Sequence, residues 1–380
     1  MTARRQGDRQ ALTVGHVCAA LERWAPRAWA YTWDKPGLAI GNASAPVRRV
    51  VTCLSVEPSV LRAARRAKAD LIVAHHPPIW EPLRTLDPGE PHTGLLLELA
   101  QAGIAVYATH TNLDVAPGGV NDALADRLGL EERRPLFPAE QARQLKLVVY
   151  VPESHVAEVR DAMSAAGAGQ IGDYSHCSFS HPGVGTFKPG AGTNPFSGAK
   201  GAVNEEEERR MEMLLPAHLL QPVRDALFAA HPYEEVAYDV FALENTDAAV
   251  GLGVRGRLPN AMSAEAFAAH VCAALEITDL RRTGAAQGKV RNVAVLGGSG
   301  GGEIARLPGG LDAYVTGDVK YHDALLAMAR GTRVYDAGHW GTEKHVPHLL
   351  ADWLKRNVPG VRVSAHVEPP PFHTVTATHD

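Results

Sequence analysis

Three short motifs place metal-ligand side chains in similar settings. The apolar run Leu71-Ile72-Val73-Ala74 is followed at once by His75-His76-Pro77-Pro78. Ile104 to Ala108 leads into Thr109-His110-Thr111-Asn112-Leu113-Asp114, an imidazole with a carboxylate four residues on. Val334 to Gly338 leads into His339-Trp340-Gly341-Thr342-Glu343, with the same spacing. Singly, each has an ordinary explanation. His75 and His76 read equally well as a hydrogen-bonded structural pair, and Asp114 as an acceptor in the turn made by Pro117-Gly118-Gly119. Together they put ligand types at the ends of three separate apolar runs, which scattered decoration would not do. Four imidazoles and two carboxylates suit borderline divalent ions such as zinc, iron, manganese, cobalt or nickel. Six ligands exceed what one catalytic zinc takes and match a pair of ions, the arrangement used in two-metal hydrolysis.

Each motif needs a strand to deliver it. Apolar, β-branched runs at 47–56, 71–74 and 104–108 alternate with helical patterns at 12–24, 58–67 and 93–102. That rhythm predicts an α/β fold, a mainly parallel sheet with helices on both faces, whose carboxyl edge is where such folds bind ligands. Adjacent side chains on a regular strand face opposite ways. For His75 and His76 to share a site the chain must already be turning, which the prolines favour. A helix starting near Gly338 puts His339 and Glu343 on one face. His345 and His348 follow on the next helix and read as surface or supporting residues.

Between the flanks the pattern changes. Residues 131–143, EERRPLFPAEQAR, read as a linker. Beyond it come a strand at 145–151, a helix at 155–165, a glycine-rich stretch at 167–201, a strand at 209–215, a helix at 216–230 and a strand at 236–243. A β-α-β-β-α-β order of this kind suggests a ferredoxin-like α+β unit. Strands at 290–296, 313–316 and 333–336 then restore the first rhythm. The expected organisation is a first α/β part at 1–140, an inserted unit at 141–247 and a second α/β part at 248–380. The proline-bearing tail from Glu368 is expected to be poorly ordered or docked as a strap.

Several polar clusters have two readings each. Val295 to Gly302, with Gly297-Gly298-Ser299-Gly300-Gly301-Gly302, could cradle an anion on its backbone amides or be a tight turn without a ligand. Asp318 or His322, in Thr316-Gly317-Asp318-Val319-Lys320-Tyr321-His322, could move protons beside the metals, while Asp318 is as good a helix N-cap. No catalytic residue is assigned. His231-Pro232-Tyr233-Glu234-Glu235 reads as a structural corner, and Glu205 to Arg210 as a solvated charged edge.

Composition excludes whole classes. With 38 basic and 42 acidic side chains the net charge is −4, and no long basic run exists, which argues against a generic nucleic-acid binder. A hydrophobic share of 45% is enough for a real core. The four cysteines, at 18, 53, 177 and 272, form no CxxC pair, consistent with a reducing, cytoplasmic setting. The opening MTARRQGDRQ has no apolar core behind it, and no long apolar run suggests a membrane span.

The motifs also occur together, in order, in a known family. Trp33-Asp34 with Gly37-Leu38, IVAHHP, THTNLD followed by GGVND, TGDVKYHD and DAGHWGTE resemble the Nif-three-like dinuclear metal-centre family, often labelled GTP cyclohydrolase 1 type 2 homologues. The resemblance covers nearly the whole chain. YSHCSF, GVGTFKPGAGTNPFSG and HPYEEVAYD resemble that family's inserted domain of the PII or CutA type. Membership implies a pair of divalent ions on His75, His76, Asp114, His339 and Glu343, with His110 as sixth ligand, and a homohexameric toroid. The label implies hydrolysis of a small phosphate-bearing or heterocyclic substrate, by opening of the GTP purine ring. The alternative is a metal-handling or scaffold protein whose central domain senses a ligand. HHPP stands where one proline and an aliphatic residue are usual, and Trp340 where a smaller or tyrosyl side chain is common; both bear on pocket shape and leave the ligands intact.

Overall fold

Leu71–Ala74 and Ala105–Ala108 are strands buried at every position, and their neighbours explain how. In the computed structural model, which describes residues 11–284 and 287–374, they lie in a five-stranded sheet. Its order is Gly37–Ile40, Ala105–Ala108, Leu71–Ala74, Arg49–Cys53, Arg362–Ala365. All pairings are parallel except that of the Gly37–Ile40 edge. Alternate side chains enter two cores. Val50, Leu71, Val73 and Tyr107 pack with Val17 and Leu21 of the Val14–Trp24 helix and Leu350 and Leu354 of the Val346–Asn357 helix. Val51, Ile72, Ala74 and Val106 pack on the other face, against Val60, Leu61, Leu95 and Leu99.

A second sheet has the order Arg281–Arg282, Arg333–Asp336, Ala313–Thr316, Lys289–Val295, Gly251–Ser263, Glu131–Pro138. Only its middle is parallel; the other three pairings are antiparallel. The expectation of one mainly parallel sheet is therefore corrected to two mixed sheets, each with helical cover on both faces. The presumed linker is the reason. Glu131–Pro138 is a strand whose charges are exposed and whose prolines sit at the sheet edge, where a missing N–H costs no ladder bond. The two sheets also repeat a detail: Asp70 accepts from the amides of Arg48 and Arg49, and Asp312 from those of Arg291 and Asn292.

These sheets belong to a unit formed by Met1–Pro138 and Ala248–Asp380; Ala139–Asp247 forms a second. In the second unit Arg143–Pro152, Ser178–Phe187, Asn204–Pro216 and Tyr238–Thr246 make one antiparallel sheet, with Arg143–Pro152 and Asn204–Pro216 central. The helices Val156–Ala165 and Leu220–Ala230 cover one face through Val159, Met163, Val223 and Leu227, against Leu147, Val149, Met211 and Met213. The Ser178–Phe187 edge strand lies within the glycine-rich stretch, where its exposed residues hide any alternation.

Of the C-terminal tail, the described part docks. Glu368 accepts from the amides of Leu54 and Ser55, and its carbonyl takes the Trp340 indole N–H. The opening segment without an apolar core, residues 1–10, and the tail's end, 375–380, lie outside the described residues. Among the described residues no helix is long and apolar enough to cross a membrane.

Candidate metal centre

The strand Leu71–Ala74 stops where the histidines begin, and the chain bends through His75 and His76. Their rings lie 5.0 Å apart and on one side. The next strand ends at Ala108; His110 caps the short helix Thr111–Val115, which carries Asp114. In the second sheet Arg333–Asp336 ends before Gly338, and His339–Glu343 forms one helical turn. The same construction, strand then imidazole then carboxylate one turn on, thus arises once in each sheet.

All six expected ligands converge. Three sets of donor atoms lie within 4.8 Å of one another: His75 with His76 and His110; His76 with His339 and Glu343; His75 with Asp114 and Glu343. Glu343 is central, its Oε2 2.9 Å from His339 Nε2 and 3.1 Å from His76 Nε2, and its Oε1 3.8 Å from His75 Nε2. Asp114 Oδ1 is 3.5 Å from His75 Nε2. These groups, of which His75 and Glu343 are buried and the others half-buried, could hold metal ions.

The outward nitrogens show why the rings stand as they do. His75 Nδ1 donates to the Thr109 carbonyl at 2.8 Å, His110 Nδ1 to Asp34 at 2.8 Å, and His339 Nδ1 to Asp318 at 2.7 Å. His76 Nδ1 meets Ser55 Oγ at 2.7 Å. A proton held on Nδ1 leaves the Nε2 lone pair for a metal, the usual arrangement of metal-binding histidines. His75 Nε2 is the strongest sign: it is buried and has no hydrogen-bond partner. Buried polar atoms are seldom left so.

Burial pushes His75 down to about 3, so this ring is neutral at pH 7. Burial would also lower His339, but the Glu343 and Asp318 carboxylates outweigh it and lift this ring to about 9. Burial raises Asp114 above the carboxylate range. Burial would raise Asp34 too, yet His110 and Thr111 hold it at about 2. A cation entering the centre must therefore displace protons from His339 and Asp114. Metal affinity is expected to rise with pH through neutrality and to fall on acidification, with proton release on binding. Titrations in buffers of different ionisation enthalpy check this; heats independent of buffer would contradict it.

Asp34, in the Trp33-Asp34 motif, has a role that sequence alone does not reveal, because its partner His110 is 76 residues away. It is buried and also accepts from the Thr111 amide and hydroxyl. Asp318 is not the N-cap of the next helix, which is Lys320; it sits at φ 54° and orients His339. His322 is exposed and packs edge-on against Tyr321. His348 is exposed, while His345 is half-buried and pushed down to about 4 by burial. The glycine run is likewise reassigned: the Gly297 amide is spent on Asn121 and the Gly298 amide on Thr342. Its use is close approach, since a Cβ on Gly298 would lie 2.3 Å from Glu343 Oε1. At the corner the His231 ring joins Tyr150 O and the Tyr233 amide.

Replacing Asp34 or Asp318 by Asn removes the acceptor charge and keeps the shape. Metal affinity is expected to fall roughly 10–100-fold, read by competition with a chromogenic chelator. An unchanged affinity in both variants would show that these carboxylates do not support the ligands.

Two indoles flank His110, Trp33 at 6.2 Å and Trp80 at 5.6 Å between ring centroids. They are 54% and 47% exposed, unusual for tryptophan.

Comparison with known proteins places the chain among relatives along most of its length. A protein named GTP cyclohydrolase 1 type 2 homolog from Halalkalibacterium halodurans is 40% identical over 361 residues, covering 93% of this chain and 97% of its own. One of the same name from Bacillus subtilis is 44% identical over 325 residues, covering 85% and 87%. The crystal structure of a Bacillus cereus protein related to NIF3 superposes with a TM-score of 0.84 at 40% identity, covering 96% of this chain and 99% of that one. The model of the Duf34/NIF3 (NGG1p interacting factor 3) family matches residues 12–370, and the chain belongs to that family.

Proposed function

We propose that His75, His76, His110, Asp114, His339 and Glu343 hold about two divalent ions, of zinc, iron, manganese, cobalt or nickel, and that the centre is that of a metal-dependent hydrolase. The observation that carries this reading is the common orientation of the imidazoles, outward nitrogens engaged and Nε2 atoms turned on two carboxylates. When bound, the ions supply Lewis acidity for hydrolysis. The protein's own groups do the rest. Asp34, Ser55 and Asp318 hold the ligand rings, and burial keeps His75 neutral. Trp33 and Trp80 offer flat apolar faces beside His110, which suits a small heterocyclic or phosphate-bearing substrate; the name shared by the two relatives above supports a nucleotide-like one.

The same reading gives a cytoplasmic homohexamer, toroidal, with an α/β metal-binding domain split at 1–140 and 248–380 by a ferredoxin-like insert. The β-α-β-β-α-β order and antiparallel sheet of the second unit support that insert. The second reading, a metal-handling protein, draws on the exposure of His339, 37%, and Asp318, 47%, which opens the centre to exchange. Incubating the metal-reconstituted protein with GTP and a panel of phosphoesters separates the two. Turnover that disappears in Glu343→Gln supports the hydrolase; no turnover at any loading, with ready transfer of metal to an acceptor, supports the carrier.

A further inference from the structure

Nothing in the metal centre explains the loop that follows the Ser178–Phe187 strand. Residues 188–203 form no regular secondary structure, and ordered loops of that length are commonly functional. This one is tied down at several points. The Gly201 amide donates to the Pro189 carbonyl at 2.9 Å and closes its base. The Asn194 amide donates to Glu234 Oε1 at 2.9 Å, and Ser197 Oγ to Glu206 Oε2 at 2.5 Å.

Between the loop and the His231–Glu235 corner lies a cavity of about 430 Å³, within the range of small-molecule sites. Its walls include the rings of Tyr150, Phe187, Phe196 and Tyr233. Phe196 is half-exposed, yet it is held edge-on to His155 at 5.4 Å and tilted against Tyr233 at 5.9 Å. The charged groups in the lining are Glu208, Glu234 and Glu235 against Lys188. Glu208 is fixed: the Tyr233 hydroxyl donates to its Oε1 at 3.0 Å, and Gly185 leaves room for it, since a Cβ there would lie 2.3 Å from Oε2. The charged edge read from Glu205 to Glu208 is thus partly used to build this wall.

Aromatic faces attract cations through their quadrupoles, and carboxylates attract them by charge. An anion would meet three carboxylates and one lysine. We propose that this cavity binds a small organic cation of the primary-amine or guanidinium class, its charge at the Glu208 end and its body against Phe196 and Tyr233. This site is independent of the metal chemistry proposed above.

Isothermal titration of the full-length protein with tyramine and agmatine tests the proposal, with GMP as an anionic comparison. At least one amine is expected to saturate, with affinity better than about 1 mM, and to weaken about tenfold or more in both Phe196→Ala and Glu208→Gln. Phe196 lies in the loop, outside the unit's core of Leu147, Val149, Met211 and Met213, so Phe196→Ala stays folded and its thermal melt verifies that. The proposal is overturned by the absence of saturable binding for both amines, by affinities equal in wild type and variants, or by GMP binding that Phe196→Ala abolishes.

Discussion

Glu343→Gln is expected to lose metal almost completely, by more than about 100-fold in affinity, beyond the loss typical of a supporting residue. Glu343 is buried and lies within 3.1 Å of two imidazole nitrogens, so it touches two of the three candidate ligand sets directly. Glutamine keeps the volume and removes the charge. Without that charge His339 loses the main influence that lifts it to about 9, so its titration is expected to move downward in the metal-free variant. Metal content by mass spectrometry and the His339 titration by NMR read the two effects separately. Full metal retention, or an unmoved His339, would remove Glu343 from the centre.

Gly298→Ala has the second large effect, and it reaches the same carboxylate from the backbone. Gly298 sits at φ 67°, where an L side chain costs about 1–2 kcal/mol. Its Cβ would also lie 2.3 Å from Glu343 Oε1 and 3.3 Å from His339 Nε2. Glu343 cannot swing away freely, because His76 and His339 hold its other oxygen. Strain and overlap together are expected to cost roughly 2–4 kcal/mol of stability and to lower metal content. Gly302→Ala is the control within the same run: nothing lies within 4 Å of its Cβ, and it is expected to change stability by less than about 0.5 kcal/mol. Chemical denaturation compares them; equal stability of the two variants would refute the close-approach account.

The candidate ligands were legible because their signal is local. An apolar run, a break and a histidine can be read at each of the three motifs from residue type and spacing alone, with a carboxylate four residues on at His110 and His339. Their supports could not, since His110 meets Asp34 across 76 residues and His339 meets Asp318 across 21. Only the fold creates those neighbours. Periodicity likewise predicts strands without predicting partners, so two sheets with similar parallel centres read as one. Edge strands were the hardest elements. Glu131–Pro138 and Ser178–Phe187 carry prolines, charges or glycines that an edge tolerates and a central strand does not, and they therefore resembled a linker and a loop. Gly298 shows a different limit: the glycine run left an anion cradle and a ligand-free tight turn both open, and only the fold shows its close approach to the Glu343 carboxylate.

One cluster of six side chains is proposed to hold a pair of divalent ions. Elemental analysis of the mildly purified protein, with ions counted per chain against a quantitative amino-acid assay, tests it most directly. About two divalent ions per chain are expected, falling below one in Glu343→Gln. Fewer than about one ion per chain in the wild-type protein, even after reconstitution with zinc, manganese and iron, would contradict it.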